Sequence, residues 1–311
     1  MPPPERQNPS IDLVQLRTFV AVAEEKHLTR ASERLHVSQS AASAHVRAVE
    51  ESLGLPLFLR TNRSLELTRA GELLLARAKV LLSEATAFTS FAREIRGQTE
   101  GRLVIASSSE PGYSRIGEFV AALRQRHPLI TVDLRARHSA GTRQGLKTGE
   151  LDLGLLLGRP VDADVTCYPL AEVPFAVAGP AAWKDRIERS NWSELAAMPW
   201  IVPTYSGMAY FAMLAHLFGE RSPELHTVAS FDNAALGRTM VEAGVGLMLM
   251  REEHVRHGVE QGVLAVSPIA RASFPLFLSH LSSRRDDPLI RAFIASARDV
   301  LPALAPADRA A

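Results

Sequence analysis

Small polar side chains crowd one short stretch near the N-terminus. Residues 38–44 read Ser-Gln-Ser-Ala-Ala-Ser-Ala, and Val46, Val49 and Leu53 follow at helical spacing. A helix this bare lets its backbone approach the floor of a DNA major groove, where compact hydroxyl and amide groups pair with base edges. The alternative interpretation is an ordinary helix of an all-helical domain whose serines and alanines face water.

Two predicted helices and a tight turn position this stretch. Thr29 can cap a short helix over residues 30–35, and Ser38 can cap a second helix over residues 39–53. A first helix, capped by Asp12, precedes both. This arrangement is a helix-turn-helix, in which the N-terminal residues of the second helix meet base edges.

A small hairpin is predicted at residues 56–68, because Thr-Asn-Arg-Ser separates two short β-prone runs. Its tip can reach the minor groove or its phosphates as a wing, while a helix N-terminus suits phosphate oxygens. Gln39 is the residue expected to pair with adenine. The predicted DNA contacts are Thr29, Ser38, Gln39, Ser40, Ser43, His45, Arg47, Arg60 and Arg63.

One long helix without proline is predicted over residues 68–97. Apolar residues follow one another along it at alternating spacings of four and three, a heptad pattern typical of helix pairing. Because charged side chains occupy the opposite face, we expect this helix to pair with a second copy; packing on its own domain is the alternative. The seam is formed by Leu74, Ala78, Leu81, Ala85, Phe88, Ala92 and Ile95.

The pattern of the chain changes after residue 100. Buried apolar runs, such as residues 102–107 and 151–157, alternate with amphipathic segments up to a final helix near residues 287–301. This alternation predicts an α/β fold with a parallel or mixed sheet covered by helices. Since roughly 200 residues exceed the usual size of one such unit, two subdomains are expected.

Composition limits the possible classes of function. The 311 residues carry a net charge of +1, so a nucleic-acid surface has to be local. Cys167 is the only cysteine, which excludes an internal disulfide and a multi-cysteine zinc site. No secretory signal and no apolar run of membrane-spanning length is visible, so we expect a cytoplasmic protein without a membrane partner.

Catalytic motifs are missing from the sequence. It contains no G-x-S-x-G, S-x-x-K or H-E-x-x-H pattern, and nothing places a nucleophile next to a base. His254 and His257 lie three residues apart on a predicted surface helix, which is a weak indication of a metal site. We therefore expect no enzyme activity, no cofactor and no bound metal.

The sequence resembles LysR-type transcriptional regulators over roughly residues 11–302. In the N-terminal part the resemblance lies in FVAVAEEKHLTRASERLHVSQSAASAHVRAVEESLGLPLFLRTNRSLELTRAG. In the second half it lies in RQRHPLITVDL, GELDLGL and MVEAGVGLMLM, which occur in the family's order. The family thus supports the helix-turn-helix interpretation of the first hundred residues.

Two sites depart from the family's pattern. Many members have proline where this chain has Ser40, and several have arginine or glutamine where it has Ala44 and His45. The expected operator affinity therefore depends more on a smaller set of residues, namely Gln39, Ser43 and Arg63.

The resemblance also implies a domain organisation. With the Pro-rich, polar composition of residues 1–10 and the pattern of the chain, it predicts a disordered tail (1–10), a winged helix-turn-helix (11–67), a linker and dimerisation helix (68–97), a periplasmic-binding-protein-like effector domain (101–303) and a tail (304–311). Lobe I would comprise about 101–170 and 272–303, and lobe II about 171–271. Such lobes enclose a small-molecule cleft at the ends of their strands.

Polar residues that follow three predicted strands would line this cleft. They occur in SSSEPG, RHSAGT and PTYSG, where hydroxyl and backbone N–H groups suit an anion, and the shortage of acids favours a small carboxylate. Each of these residues can instead cap a helix. The expected effector contacts are Ser107, Ser108, Ser109, His138, Ser139, Thr204, Tyr205 and Asp232. The residues Phe175, Phe211 and Phe231 are expected in the core.

The resemblance implies a regulator that binds double-stranded promoter DNA as a homo-oligomer, either a dimer or a tetramer. A small-molecule effector and RNA polymerase are its other implied partners. The competing hypothesis is a cytosolic solute-binding protein without a regulatory role, because such proteins share the fold expected for the second half. Retention of residues 1–100 on heparin or operator DNA distinguishes the two hypotheses.

Overall fold

A computed structural model describes residues 11–60, 65–95, 99–108, 112–158, 162–204, 209–219 and 225–307, with the backbone alone for Arg60 and residues 90–95. The tail predicted at residues 1–10 lies outside the described residues. Two compact units make up the chain. The N-terminal unit comprises residues 1–96 with 147–150, and the C-terminal unit comprises residues 97–146 with 151–311.

Three helices open the N-terminal unit. The Asp12 carboxylate accepts a hydrogen bond from the N–H of Val14 at 2.7 Å, and the Ser38 hydroxyl accepts one from the N–H of Ala41 at 3.1 Å. Both predicted caps are therefore confirmed. The helices are α1 (Leu13–Glu25), α2 (Leu28–Leu35) and α3 (Gln39–Leu53).

The predicted cap of α2 is wrong. His27 occupies the N-cap position with extended backbone, and its side chain makes no cap hydrogen bond, while Thr29 already lies in the first helical turn. The cause is the abrupt end of α1, since Lys26 adopts the left-handed conformation with φ of 51°. The chain enters α2 two residues later, before Thr29 is reached.

The predicted hairpin is present as two short antiparallel strands. They are β1 (Phe58–Arg60) and β2 (Leu65–Leu67), with Phe58 opposite Leu67. The tip at residues 61–64, which includes the predicted wing residue Arg63, lies outside the described residues.

One carboxylate and one aromatic pair join this hairpin to the helices. Glu50 of α3 accepts hydrogen bonds from the N–H groups of Leu57 at 2.8 Å and Phe58 at 3.2 Å. The ring of Phe58 packs edge-on against Phe19 of α1, with 5.7 Å between centroids. The wing and the helix-turn-helix consequently share one core.

The long linker helix is α4 (Arg69–Ile95), and the Thr68 hydroxyl caps it by accepting from the N–H of Gly71 at 2.9 Å. Gly71 is required there, because an added Cβ would lie 2.2 Å from the carbonyl oxygen of Leu57. The start of α4 is thus pressed closely onto the segment that leads into the wing.

The predicted pairing seam along α4 needs correction at its first two positions. Ala78 is buried in the N-terminal core and Leu74 packs against that core, which is the alternative interpretation stated above. Leu81 and Phe88 are 53% and 75% exposed and Ala85 is partly buried, while the side chains of Ala92 and Ile95 lie outside the described residues. The heptad spacing did not reveal which face the domain itself covers.

An ion pair fixes α4 to α1. Lys79 Nζ lies 2.7 Å from a carboxylate oxygen of Glu24, which also pairs with Arg34 of α2 at 2.8 Å. Burial raises the pKa of Glu24, but the hydrogen bonds from Lys79 and Arg34 outweigh it and lower the pKa overall. The charged carboxylate therefore links three helices of this unit.

A mixed six-stranded sheet forms the centre of the C-terminal unit, as predicted. Its strand order is β4-β3-β5-β10-β6-β9, with β3 parallel to β4 and β5 and the remaining pairs antiparallel. A separate parallel pair contains β7 and β8. The strands are β3 (Gly101–Ser107), β4 (Ile130–Ala136), β5 (Leu153–Leu157), β6 (Val165–Pro180), β7 (Pro199–Pro203), β8 (His226–Phe231), β9 (Met248–Arg251) and β10 (Leu264–Leu281).

Helices cover both halves of this sheet. Helices α5 and α12 pack together beside β3, with the rings of Phe119 and Phe293 6.4 Å apart. The long strands β6 and β10 run through both halves, and their pairing shifts register between Leu276 and Phe277. The helices are α5 (Ile116–Arg126), α6 (Ser139–Lys147), α7 (Lys184–Arg189), α8 (Trp192–Ala197), α9 (Ala209–Phe218), α10 (Ala234–Glu242), α11 (Glu252–Glu260) and α12 (Pro288–Val300).

The tail predicted at residues 304–311 is wrong for its first four residues. Leu304 is buried, and the N–H of Ala307 donates to the carbonyl oxygen of Cys167 on β6 at 2.7 Å. That edge of β6 would otherwise expose an unpaired carbonyl. Residues 308–311 lie outside the described residues.

A buried ion cluster joins β5, β10 and α12. Arg284 places one guanidinium nitrogen 2.7 Å from Asp152 and another 2.5 Å from Asp287. Asp287 also caps α12, accepting from the N–H of Leu289 at 2.9 Å.

Within the described part of the chain, no helix is long and apolar enough to cross a membrane.

Candidate DNA-binding surface and effector cavity

The first turn of α3 presents polar groups to solvent. Gln39 and Ser40 are exposed, and Gln39 makes no hydrogen bond with another described residue. The Ser38 hydroxyl is engaged in capping the helix and lies 3.0 Å from the Ser40 hydroxyl. Ala42, on the other side of the same turn, is fully buried in the domain. The helix therefore packs on the domain through Ala42 and leaves the Gln39 side chain exposed to solvent.

His45 is turned towards α1 instead of lying freely at the surface. Its Nδ1 is 3.0 Å from the Thr18 hydroxyl, whose own proton is directed to the carbonyl oxygen of Val14 at 2.9 Å. The imidazole therefore donates from Nδ1 and holds α3 against α1. In this structure its visible role is positioning, in contrast to the direct DNA contact that was predicted.

The remaining predicted DNA contacts differ in their exposure to solvent. Arg47 is exposed, while Ser43 and Thr29 are partly buried. Arg63 and the side chain of Arg60 lie outside the described residues. The sequence analysis missed the wing-anchoring role of Glu50, although a carboxylate two turns before a strand can be recognised as a candidate for this contact.

A cavity of about 420 Å³ lies within the C-terminal unit, where the loops after β3, β4, β8 and β9 meet. Four predicted effector contacts line it, namely Ser108, His138, Ser139 and Asp232. For Ser108, His138 and Ser139, the position at a strand end is what the sequence interpretation relied on.

Other predicted contacts do not reach this cavity. Ser107 is the last residue of β3; it is buried and absent from the lining, and its hydroxyl has no hydrogen-bond partner among the described residues. Thr204 is exposed and also lies outside the lining; its N–H donates to the carbonyl oxygen of Phe231, which ties it to β8. Ser109 and Tyr205 fall outside the described residues.

Basic side chains dominate the polar part of the lining. Among the lining residues that the structure describes, three arginines and two histidines accompany one acid, Asp232. The sequence analysis missed four of these basic groups. They are Arg137, Arg238, Arg251 and His254. Only Arg137 and Arg251 could have been predicted from the sequence by the rule used for the other contacts, because each lies directly at the end of a strand.

The N-termini of three helices add to this positive potential. His138 precedes α6 and its Nδ1 accepts from the N–H of Gly141 at 3.1 Å, Asn233 caps α10, and Arg251 precedes α11. All three residues line the cavity. The dipoles of these helices favour an anion at this end of the cavity.

Arg251 spans the cavity. Its side chain is 6% exposed, and one of its terminal nitrogens donates to the hydroxyl of Ser108 at 3.1 Å. Ser108 follows β3 in one half of the sheet, whereas Arg251 ends β9 in the other. The hydrogen bond therefore connects the two halves at the cavity itself.

The rest of the lining is largely apolar and contains three methionines. Phe175 and Phe231, expected in the core, are buried and also line the cavity. Tyr210 uses its hydroxyl as an acceptor for the N–H of Leu249 at 2.7 Å, and burial raises the pKa of this phenol. The other apolar lining residues are Ala136, Leu155, Leu157, Ala209, Met213, Ala234, Met248, Leu249, Met250 and Leu276.

One of the two histidines with metal-like spacing, His254, contacts an arginine side chain. The Nδ1 of His254 accepts a hydrogen bond from Arg238 at 3.1 Å. A neutral imidazole that accepts at Nδ1 carries its proton on Nε2, so neither nitrogen has a lone pair available for a metal cation. In the ranges that the structure describes, no group of three histidine, cysteine, aspartate or glutamate side chains is arranged to hold a metal ion.

Curated relatives are similar over nearly the whole chain. The HTH-type transcriptional regulator IlvY of Escherichia coli K12 is 28% identical over 295 residues, which cover 91% of this chain and 97% of IlvY. A probable RuBisCO transcriptional regulator of Synechocystis is 26% identical over 306 residues, covering 93% and 86%. These relatives are named as transcriptional regulators and not as enzymes.

Solved structures share the fold. A full-length OxyR variant from Pseudomonas aeruginosa superimposes with a TM-score of 0.66 at 24% identity, covering 96% of this chain and 99% of OxyR. CbnR in complex with its target DNA gives a TM-score of 0.62 at 21% identity, covering 93% and 99%.

Two family descriptions match the chain in the order of its units. Residues 13–72 match the bacterial regulatory helix-turn-helix proteins of the LysR family, and residues 96–302 match the LysR substrate binding domain. Together they account for the helix-turn-helix at the N-terminus and the cavity-bearing α/β unit that follows. The chain belongs to the LysR family of DNA-binding transcriptional regulators.

Proposed function

We propose that this protein binds promoter DNA as a homo-oligomer and alters that binding when a small amphipathic carboxylate occupies its cavity. The DNA-binding part rests on Gln39, an exposed amide at the start of the recognition helix that no described residue engages. One such helix reads only a few base pairs, so two copies on a palindromic site multiply specificity. RNA polymerase is a further proposed partner at the promoter.

Charge supports an anionic head group for the effector. Arg137, Arg238 and Arg251 line the cavity beside three helix N-termini, and Asp232 is the one acid among the described lining residues. Charge-assisted hydrogen bonds from arginine match the two oxygens of a carboxylate. Because Arg251 is almost fully buried, this attraction is weakly screened by water.

The apolar part of the lining supports a hydrocarbon body. Phe175, Met213 and Leu276 lie among the lining residues, and methionines adapt their shape to a ligand. The volume of about 420 Å³ falls within the range of about 300–1,000 Å³ that is typical of small-molecule pockets. A ligand with an aromatic or branched body and one carboxylate fits both parts.

Thermal denaturation of the full-length protein tests this class of effector. The probes are 3-phenylpropanoate, the neutral 3-phenylpropan-1-ol and the compact dianion propanedioate, each in excess. We expect the melting temperature to rise only with 3-phenylpropanoate, since it alone combines both features. Equal stabilisation by the alcohol would contradict the anionic site, and stabilisation by propanedioate alone would contradict the apolar one.

Arg251→Gln identifies the group that recognises the carboxylate. Loss of a hydrogen bond to a charged partner weakens binding by about 10- to 100-fold. The matched control is Arg256→Gln, because Arg256 is exposed on α11 and does not line the cavity. Similar losses in both variants would assign the effect to net charge.

DNA footprinting with the stabilising acid tests the regulatory step. Closure of the two halves around a ligand is expected to repack subunit contacts and to change the protected length or the bend of the promoter. Identical footprints and bend angles at saturating acid would contradict this coupling.

A further inference from the structure

The Tyr210 side chain places its hydroxyl group at the wall of the effector cavity. The hydroxyl oxygen accepts a hydrogen bond from the N–H of Leu249 at 2.7 Å. Leu249 belongs to β9, and all four residues of this strand line the cavity, as does Tyr210 itself. The phenol oxygen therefore lies against a strand that borders the space proposed for the effector.

The Tyr210 hydroxyl can donate a hydrogen bond as well as accept one. The bond from Leu249 uses a lone pair of the phenol oxygen, and the single hydrogen of the hydroxyl remains available for donation. Among the residues that the structure describes, none accepts this hydrogen. Because a buried donor is stabilised by finding an acceptor, a ligand oxygen at this point of the cavity would bind favourably.

The surroundings of Tyr210 fix its ring and keep it neutral. Phe231 and Phe211 pack edge-on against the ring, with 5.8 Å and 6.3 Å between centroids. Tyr210 is 7% exposed, and burial raises the pKa of its phenol, which outweighs the hydrogen bond from Leu249 that lowers it. The hydroxyl therefore keeps its hydrogen at neutral pH and is held in one position.

The donor at Tyr210 suits a ligand atom that only accepts hydrogen bonds. Three methionines that line the cavity share the two elements of this contact, Met213 on α9 and Met248 and Met250 on β9. A ligand hydroxyl or amine would bring hydrogens of its own into these apolar surroundings, where they need acceptors. A carbonyl oxygen accepts without donating, so it matches the phenol without leaving a new donor unpaired.

We propose that the effector is an oxo acid whose carbonyl oxygen accepts a hydrogen bond from the Tyr210 hydroxyl while Arg251 holds its carboxylate. This inference rests on the proposed carboxylate effector and adds one polar group to its apolar body. Arg251 follows Leu249 by two residues on β9, so the backbone positions beside the two contacts are about 7 Å apart. A chain of a few carbon atoms between carboxylate and carbonyl covers such a distance.

Calorimetric titration of the full-length protein with two matched pairs of acids tests the carbonyl contact. The acids 2-oxo-3-phenylpropanoate and 3-phenylpropanoate differ by a carbonyl in place of a methylene group, as do 4-oxo-4-phenylbutanoate and 4-phenylbutanoate. The oxo member of at least one pair is expected to bind about tenfold more tightly than its partner. The pair that shows this preference also gives the distance between the two recognition points.

Tyr210→Phe assigns the preference to the phenol. This variant is expected to bind the two members of the pair with affinities within about twofold of each other. Both acids are measured on the same variant, so any change in β9 caused by the lost acceptor of Leu249 affects them alike. The matched control is Tyr168→Phe, because Tyr168 is equally buried and does not line the cavity. A tenfold preference that persists in Tyr210→Phe overturns the inference.

Infrared spectroscopy provides a measurement on the unaltered protein, which does not depend on the folding of a variant. A hydrogen bond to a carbonyl oxygen lowers its stretching frequency. The isotope-labelled carbonyl of the tighter-binding oxo acid is therefore expected to absorb at a lower frequency in the complex than in a dry apolar solvent. The same frequency in both surroundings would overturn the contact.

The outcomes separate this inference from the proposed function. Equal binding of both members in each pair excludes the carbonyl contact, while the carboxylate effector stands. If no member of either pair binds, the carboxylate effector and the oxo acid fail together. Binding of an oxo acid with the expected preference, lost in Tyr210→Phe and kept in Tyr168→Phe, supports both.

Discussion

The two proposed ligand surfaces of this molecule are assembled in different ways. The polar residues of the proposed DNA-binding surface, Ser38 to Ser43, come from the first two turns of one helix and its cap. The cavity collects side chains from separate segments between Ser108 and Leu276. A surface made by one helix depends on local structure, whereas a cavity made by many segments depends on the whole α/β unit being folded.

Breaking the α/β unit at a distance from the cavity gives the largest expected effect. Arg284→Ala leaves Asp152 and Asp287 buried without their counter-charge, and such a loss costs about 3–5 kcal/mol of unfolding free energy. All three tryptophans, Trp183, Trp192 and Trp200, belong to this unit, so urea denaturation followed by fluorescence reports on it alone.

The neighbouring arginine provides the matched control for this variant. Arg285 pairs with Asp286 at the surface, where both side chains are at least 75% exposed. Arg285→Ala is therefore expected to change the free energy of unfolding by less than about 1 kcal/mol. A comparable loss in both variants would show that the buried cluster has no special role.

Gln39→Ala addresses the local surface and has the next largest expected effect. Loss of a bidentate contact to adenine should weaken operator binding by about 1–3 kcal/mol and leave non-specific binding unchanged. Fluorescence anisotropy with operator and scrambled duplexes measures both. Gln125→Ala on α5 is the control, because this glutamine is also exposed but lies in the other unit. A uniform loss on both duplexes would assign Gln39 to the phosphate backbone.

The contrast between a surface made by one helix and a cavity made by many segments also explains which residues the sequence could predict. Ser38 was recognised as a cap because capping needs only a hydroxyl and the helix that follows it. Ser108, His138 and Ser139, which line the cavity, were predicted because each follows a strand, and strand ends gather at one edge of a sheet. Local chemistry and one topological rule were sufficient for these residues.

Other positions required the three-dimensional arrangement. Arg238 and His254 lie within helices, so their position at the cavity depends on how α10 and α11 are oriented. Phe175 is buried like any core residue, and the amino-acid sequence around it cannot show that its ring lines a cavity. For Leu74 and Ala78, the heptad spacing described an apolar face correctly but not what covers it.

A change of pH sharpens the comparison because the α/β unit contains a buried imidazole. His280 is 1% exposed, its Nδ1 donates to the carbonyl oxygen of Leu281, and its Nε2 faces the Tyr168 hydroxyl at 3.3 Å. Burial lowers the pKa of His280; the hydrogen bond to Leu281 and the charge of Asp287 raise it and Arg284 lowers it, and burial prevails, so the pKa is lowered overall. The folded protein therefore disfavours the protonated ring.

The sign of the pH effect follows from this lowered pKa. As the pH falls below about 6.5, the unfolded chain takes up a proton on this histidine before the folded chain does, so stability decreases. One proton contributes at most about 1.4 kcal/mol per pH unit. Urea denaturation at pH 7.5 and 5.5 is expected to show a smaller decrease for His280→Gln than for the native sequence. Equal slopes would exclude His280 as the source.

The smallest expected effect belongs to the cap of the recognition helix. Ser38→Ala removes the acceptor for the N–H of Ala41 and should cost about 1 kcal/mol, whereas Ser38→Gly should cost only a few tenths. Hydrogen exchange of the α3 amides measures this difference, and tryptophan fluorescence should not change because the N-terminal unit contains no tryptophan. Since the Ser38 hydroxyl already serves the helix, Ser38→Ala should weaken operator and scrambled DNA equally. A loss confined to the operator would show that Ser38 reads a base and that the cap is secondary.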